Sequence, residues 1–230
     1  MNKKKRNWII AGAAAALIVG GTAAYGGINN FLGNNVEIES VMSGNTEPSG
    51  EAQTVSSEEL TGAWALQDES KVYWSITTSQ ETVNFVNDAV TGAWSIDFTA
   101  PESMSAEGIM DMSALDSGNA QRDDHLQESD FFDVAAYPEA TFTADTFTGL
   151  PEEWTEGEVV PVTIEGTMTV RGMEKDVTFF SEVSYQEGNL LLSGQTEVTF
   201  DDFGMENPHN VVVETENDVN VRLELVLSQS

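Results

Sequence analysis

Apolar residues recur at every second position through most of the chain beyond residue 62, and that period admits few folds. Val160, Val162, Ile164, Gly166, Met168 and Val170 alternate with Pro161, Thr163, Glu165, Thr167 and Thr169. Two later runs repeat the pattern: Val177, Phe179, Ser181, Val183 and Tyr185, then Val219, Val221, Leu223, Leu225 and Leu227. Shorter runs at Val72-Trp74-Ile76, Trp94-Ile96-Phe98 and Phe142-Ala144 obey it too. A strand turns successive side chains to opposite faces, so each run has one face for a core and one for water. Segments such as "RGMEKD", "QEGN" and "DDFGMENPHN" supply turn chemistry between them. About eight such strands, with no helix alternating between them, form antiparallel sheet rather than a doubly wound α/β fold. The sheet either curls into a barrel or folds into a sandwich. Residues 117–136 lose the two-residue period and carry good helix formers, so they read as a helical insertion between two strands.

The N-terminus follows other rules. Lys3, Lys4, Lys5 and Arg6 precede an uncharged stretch, "WIIAGAAAALIVGGTAAYGGI", at 8–28. That is long enough to cross a bilayer core of about 30 Å as a helix, with the cations left on the cytoplasmic side. The competing reading is a signal peptide cleaved after its Ala-rich core. Either way the rest of the chain is exported, as a single-pass membrane protein with an extracellular domain or as a secreted one. Residues 33–59 are polar, aperiodic and rich in Gly, Ser and Glu, which is the composition of a disordered linker. The expected division is thus 1–32 anchor or signal, 33–59 linker and 60–230 folded domain.

Charge narrows the partners. The chain holds 39 Asp and Glu against 9 Lys and Arg, a formal charge of −30, which repels nucleic acid and disfavours docking on anionic lipid. With no cysteine, disulfides, thiol catalysis and thiolate metal sites are excluded. No GxSxG elbow, HExxH or phosphate-binding loop occurs, and His209 lies in a turn far from His125. The acids near His125 match no calcium-loop spacing, so they carry no metal reading.

Eight strands closed into a barrel either fill it with their own side chains or leave room for one small ligand. Small residues at Gly108, Ala144, Gly166, Ser181 and Gly194 fall on faces expected to point inward. The pattern alone does not choose between cavity and filled core, because alternating large and small residues also packs a closed barrel.

One segment is more specific. "RDDHLQESDFFDVAAYPEATF", 122–142, resembles the signature of the YceI-like family through Arg122, Asp123, His125, Leu126, Ser129, Asp130, Phe131, Phe132, Tyr137, Pro138, Ala140, Thr141 and Phe142. "IEGTMTVRGMEKDVTF" at 164–179 and "VTFDDFGM" at 198–205 are similar to later family strands, in the same order. The resemblance spans about residues 62–228. It implies an eight-stranded, lipocalin-like antiparallel barrel with an apolar pore that binds a polyisoprenoid or related amphiphile without chemistry on it. It implies no cofactor beyond such a bound isoprenoid lipid or quinone. An enzyme acting on that lipid, and a surface interaction domain with a filled core, are the alternatives. The sequence departs at "QDESKVYWSI", where Glu69 stands at a position that is His in many members.

The pore lining expected from the alternation is Trp74, Ile76, Trp94, Ile96, Phe142, Val162, Ile164, Phe179, Leu192, Leu223 and Leu225, with Gly166 and Gly194 leaving space. Arg122 and His125 stand out in a chain so poor in cations. Either they meet a ligand head group at the pore mouth, or Arg122 pairs with a neighbouring acid while His125 anchors the insertion. One of Phe131 and Phe132 is expected to pack the insertion onto the barrel and the other to line its opening.

Overall fold

The computed structural model describes residues 35–42, 53–207 and 214–230. Its strands are β1 (Thr54–Ser56), β2 (Gly62–Leu66), β3 (Lys71–Thr78), β4 (Thr82–Asn87), β5 (Val90–Ile96) and β6 (Ser105–Asp111). Helix α1 (Ala120–Leu126) follows, then β7 (Glu139–Thr148), β8 (Glu153–Thr155), β9 (Val159–Val170), β10 (Met173–Gln186), β11 (Asn189–Thr199) and β12 (Thr215–Gln229).

Strand pairing closes a ring in the order β2-β5-β6-β7-β9-β10-β11-β12 and back to β2, so the molecule is an all-β, eight-stranded antiparallel barrel. The closure comes from the long β12. One of its edges pairs with β11 from Asn189↔Ser228 to Thr199↔Asp218. The other meets β2 at Leu227↔Leu66 and β3 from Thr215↔Thr78 to Glu224↔Lys71. Strands β2 and β3 are successive stretches of one path, and β4 and β5 of another. Among the described strands β4 pairs with β3 alone, so the wall has a gap there, which a bridge from Val86 to Asp116 spans. The insertion after β6 therefore helps to close one end of the barrel.

Local chemistry explains the turns. The β9–β10 hairpin turns on Arg171 and Gly172, with φ of 53° and 73°. The β10–β11 hairpin turns on Glu187 and Gly188, at 49° and 85°. Positive φ at both central positions matches the twist of the flanking strands, and Gly tolerates it best. In α1, Asn119 caps the helix by accepting from the Gln121 and Arg122 N–H groups, while Arg122 and Leu126, one turn apart, bury the same face.

Alternation places the core as expected. Val162, Ile164 and Met168 of β9, Val177, Phe179 and Val183 of β10, and Val219, Leu223, Leu225 and Leu227 of β12 are all buried. Glu224 breaks the rule: it lies on the outer side of β12, yet is only 1% exposed. Its carboxylate accepts from Val41 N at 2.8 Å, Ser193 Oγ at 2.8 Å and Arg222 Nε at 2.5 Å. Residues 35–42 thus run as a strap over the outside of β3, β4 and β12. Nor is 53–59 loose, because β1 pairs with β8. The disordered-linker expectation fails over these two stretches, since their backbone polar groups find partners on the barrel. The 8–28 apolar run and His209 lie outside the described residues. Among the described residues, no helix is long and apolar enough to cross a membrane.

Candidate apolar binding cavity

The two ends of the barrel differ. Ile96, Phe98, Met104, Phe147, Leu150, Val162, Ile164, Leu190 and Leu192 pack one end, leaving only about 20 Å³ between them. Trp154, held over that end by the β1–β8 pair and 0% exposed, is the stopper, its ring 4.9 Å from that of Phe98. Toward the other end the barrel opens into a cavity of about 120 Å³, or about 970 Å³ with the space open to solvent at its mouth.

This cavity is lined by Trp74, Trp94, Phe142, Phe179, Leu223 and Leu225, six of the expected pore residues. Ile96, Val162, Ile164 and Leu192 instead belong to the packed end, and Ile76 is buried core lining neither space. Alternation tells which face a residue takes, not how far along the barrel axis it lies. The lining also includes Val72, Val90, Val198, Phe200, Phe203, Val219 and four methionines, Met110, Met112, Met168 and Met205. Thioether side chains are flexible and polarisable, so they reshape around irregular apolar ligands. Among the described residues, no charged side chain lines the cavity; the side-chain polar groups there are the hydroxyls of Thr141 and Thr199 and the indoles of Trp74 and Trp94.

Glycine works here in a way that residue type alone does not disclose. A Cβ on Gly108 would meet no heavy atom within 4 Å, and Gly108 lines the cavity. Gly166 leaves no void: a Cβ there would lie 2.2 Å from the Thr143 carbonyl oxygen, where β7 bulges between Ala144 and Thr146. On Gly194 it would lie 2.5 Å from Ser181 Oγ. These two glycines let neighbouring strands and side chains approach, and of the three Gly108 is the one that makes room.

The insertion forms one wall. Phe132 lines the cavity with its ring edge-on to Trp74, centroids 4.7 Å apart. Phe131 is buried too, edge-on to His125 at 5.0 Å. Arg122 is 2% exposed; its guanidinium donates to Ser117 Oγ at 2.8 Å and to the Ser117 carbonyl at 2.7 Å, and lies 5.5 Å from the centre of the Phe85 ring. Asp123 accepts from the Ser117 N–H at 3.0 Å and from its hydroxyl. Burial lowers the guanidinium pKa and raises that of Asp123, against which the Ser117 hydrogen bonds act. His125 is half exposed, with Nδ1 3.2 Å from Glu128 Oε2. Neither Arg122 nor His125 lines the cavity, so the head-group role is not what the geometry gives them. Both hold the insertion together.

The same accounting covers every cation beyond residue 6. Lys71 pairs with Glu39, Lys175 with Asp202 and Arg222 with Glu224, each at 2.5 Å, and Arg171 donates to the Ser129 carbonyl at 2.9 Å. Lys71, Arg171 and Lys175 thereby join segments distant in sequence, and Arg222 does so through the Ser193 hydroxyl at 3.2 Å.

The fold is thus a closed antiparallel barrel, packed at one end and hollow and apolar at the other. The chain belongs to the YceI-like family, whose domain model matches residues 64–227. Among curated relatives, the UPF0312 protein of Pseudomonas savastanoi pv. phaseolicola is 28% identical over 123 residues, 51% of this chain and 60% of that protein. A UPF0312 protein of Yersinia enterocolitica is 27% identical over 95 residues, 41% of this chain and 45% of that one. The matched region thus spans about half to three-fifths of those relatives. Two solved structures share the fold. BcnA of Burkholderia cenocepacia superposes with a TM-score of 0.59 at 19% identity, covering 70% of this chain and 98% of BcnA. A polyisoprenoid-binding domain from Saccharophagus degradans gives 0.60 at 17%, covering 73% and 98%.

Proposed function

We propose that this protein binds one long, uncharged apolar chain, a polyisoprenoid or similar lipid, in the barrel cavity and performs no chemistry on it. The carrying observation is the lining: flexible and aromatic apolar side chains surround a hollow with no charged group among the described residues. A charged head group would be desolvated there without a partner, which costs several kcal/mol. An apolar chain gains about 25 cal/mol per Å² removed from water, so roughly 300 Å² of contact gives about 7 kcal/mol before ordering costs. Membership in the YceI-like family, and the polyisoprenoid-binding neighbour from Saccharophagus degradans, support the same reading.

The uncharged run at 8–28 supports export, with the chain held in the cell membrane by that segment and the barrel outside, where it carries, stores or senses the lipid. The test is a fluorescence titration with an isoprenoid alcohol, because Trp74 and Trp94 face the cavity. Saturable change in tryptophan emission, abolished when Phe142 and Leu223 are replaced by Asp, supports the assignment. Unchanged emission at saturating alcohol, in protein stripped of endogenous lipid, refutes it.

A further inference from the structure

The strap has a direction. Asn35 Nδ2 donates to the Thr82 carbonyl at 2.7 Å, and its Oδ1 accepts from the Asn84 N–H at 2.7 Å. Val36 O accepts from Asn84 Nδ2 at 3.0 Å. Farther along, the Glu39 N–H donates to the Tyr73 hydroxyl, Lys71 pairs with Glu39, and Val41 N reaches buried Glu224. Thr82 is at the β3–β4 turn, opposite Thr77, and Thr78 pairs with Thr215 at the start of β12. This is the hollow end, where Val219, Met205 and Phe132 line the cavity. Residue 35 therefore sits at the open end rather than the packed end.

We infer that the open end of the barrel is the surface presented to a lipid bilayer, so that the cavity exchanges its ligand directly with the membrane. The inference rests on the anchoring reading of residues 8–28. Six residues, 29–34, separate that run from the strap, and they span at most about 20 Å fully extended. A free linker from 33 to 59 would allow any orientation; a strap fixed at Asn35 does not. The rim carries a second sign. Tyr137 and Met173, 40% and 48% exposed, flank the Arg171–Gly172 hairpin at that end, and tyrosine favours the membrane–water boundary. Asp201 and Asp218 lie at the same end, so the surface that fits is zwitterionic rather than anionic.

The chain lacks cysteine, so single labels are straightforward. Full-length protein is reconstituted into phosphatidylcholine vesicles holding a trace of acceptor-labelled lipid. A donor dye is placed on Gln80→Cys at the open end or on Glu102→Cys at the packed end, both exposed. With strands of up to 15 residues tilted in the wall, the two positions are roughly 30 Å apart along the axis. The expected result is severalfold greater energy transfer from position 80 than from 102, a difference reduced by the strap-releasing pair Asn35→Ala and Asn84→Ala. Equal or reversed transfer in protein that floats with the vesicles overturns the orientation alone. Protein that does not float overturns the anchor, and the orientation with it.

Discussion

Replacing Gly108 by Leu separates a hollow barrel from a filled one. Gly108 pairs with Gly92 on one side and Phe142 on the other, and a Cβ there meets nothing within 4 Å. Its backbone φ is outside the left-handed region, so a side chain brings no backbone strain. Leucine adds four carbons to a cavity of about 120 Å³. At about 0.8 kcal/mol per buried carbon the transfer gain is at most about 3 kcal/mol, and losing leucine's rotamer freedom returns about 0.5–1. A net stabilisation of about 1–2 kcal/mol is expected in ligand-free protein, a rise in Tm of about 2–8 °C for a domain of this size. The same variant should lose isoprenoid binding, because the new side chain occupies the ligand's space. Gly166→Leu is the matched control. Its Cβ would press on the Thr143 carbonyl, so it should unfold at lower temperature by at least the 1–3 kcal/mol usual for overpacking. Thermal unfolding of both variants, with and without an isoprenoid alcohol, reads the outcome. If Gly108→Leu destabilises as Gly166→Leu does, the hollow is not there and the binding argument fails.

Other outcomes follow from the same geometry. Phe132→Ala removes a ring packed against Trp74 and should cost about 3–5 kcal/mol, seen as a shift in the denaturation midpoint; an unchanged midpoint would mean the insertion is not docked on the barrel. Arg122→Met should cost roughly 1.5–3 kcal/mol from the lost hydrogen bonds to Ser117 while leaving ligand affinity within about twofold at a temperature where the variant is folded. A large loss of affinity there would restore the head-group role. Asp202 accepts from Lys175 and from the Thr199 N–H, and the Lys175 hydrogen bond, ahead of burial acting the other way, holds its pKa below the usual carboxylate value. A depressed pKa means stability that is present above the unfolded-state pKa and is lost as pH falls through the folded one. The stability gap between wild type and Asp202→Asn should therefore be full at neutral pH and close below about pH 4, as followed by urea unfolding across that range. A gap that persists at pH 2 would contradict the assignment.

The wall of the barrel was legible in the sequence because water on one side and core on the other write a two-residue period. The insertion was legible because 117–136 abandons that period, although only Ala120–Leu126 is helical. What the period does not carry is height along the axis. Ile164 and Phe142 look equivalent as inward residues, but one helps pack the closed end and the other lines the hollow, and the difference is made partly by Trp154. That stopper is held by Thr54–Ser56, about 100 residues away in sequence, in a stretch whose composition reads as linker. Glycine was opaque for a related reason. Gly108 and Gly166 share an inward face, and only the approach of the neighbouring strand distinguishes room from contact. Nothing in the sequence marks the four lining methionines as a set, because they come from β6 and β9 and from two loops, with no shared spacing. Arg122 drew attention through the scarcity of cations, but its burial depends on Phe85, a residue of a distant strand. Scarcity pointed to importance and not to the kind of importance.

The central claim is that the hollow end of the barrel holds an apolar chain. Native mass spectrometry of the full-length protein, purified gently from its own cells and sprayed intact, tests it most directly. The account predicts a stoichiometric adduct of one lipid per chain, released on activation as a neutral or weakly polar long-chain molecule and missing from Gly108→Leu. A bare protein mass in every preparation, or an adduct that Gly108→Leu retains in full, would contradict it.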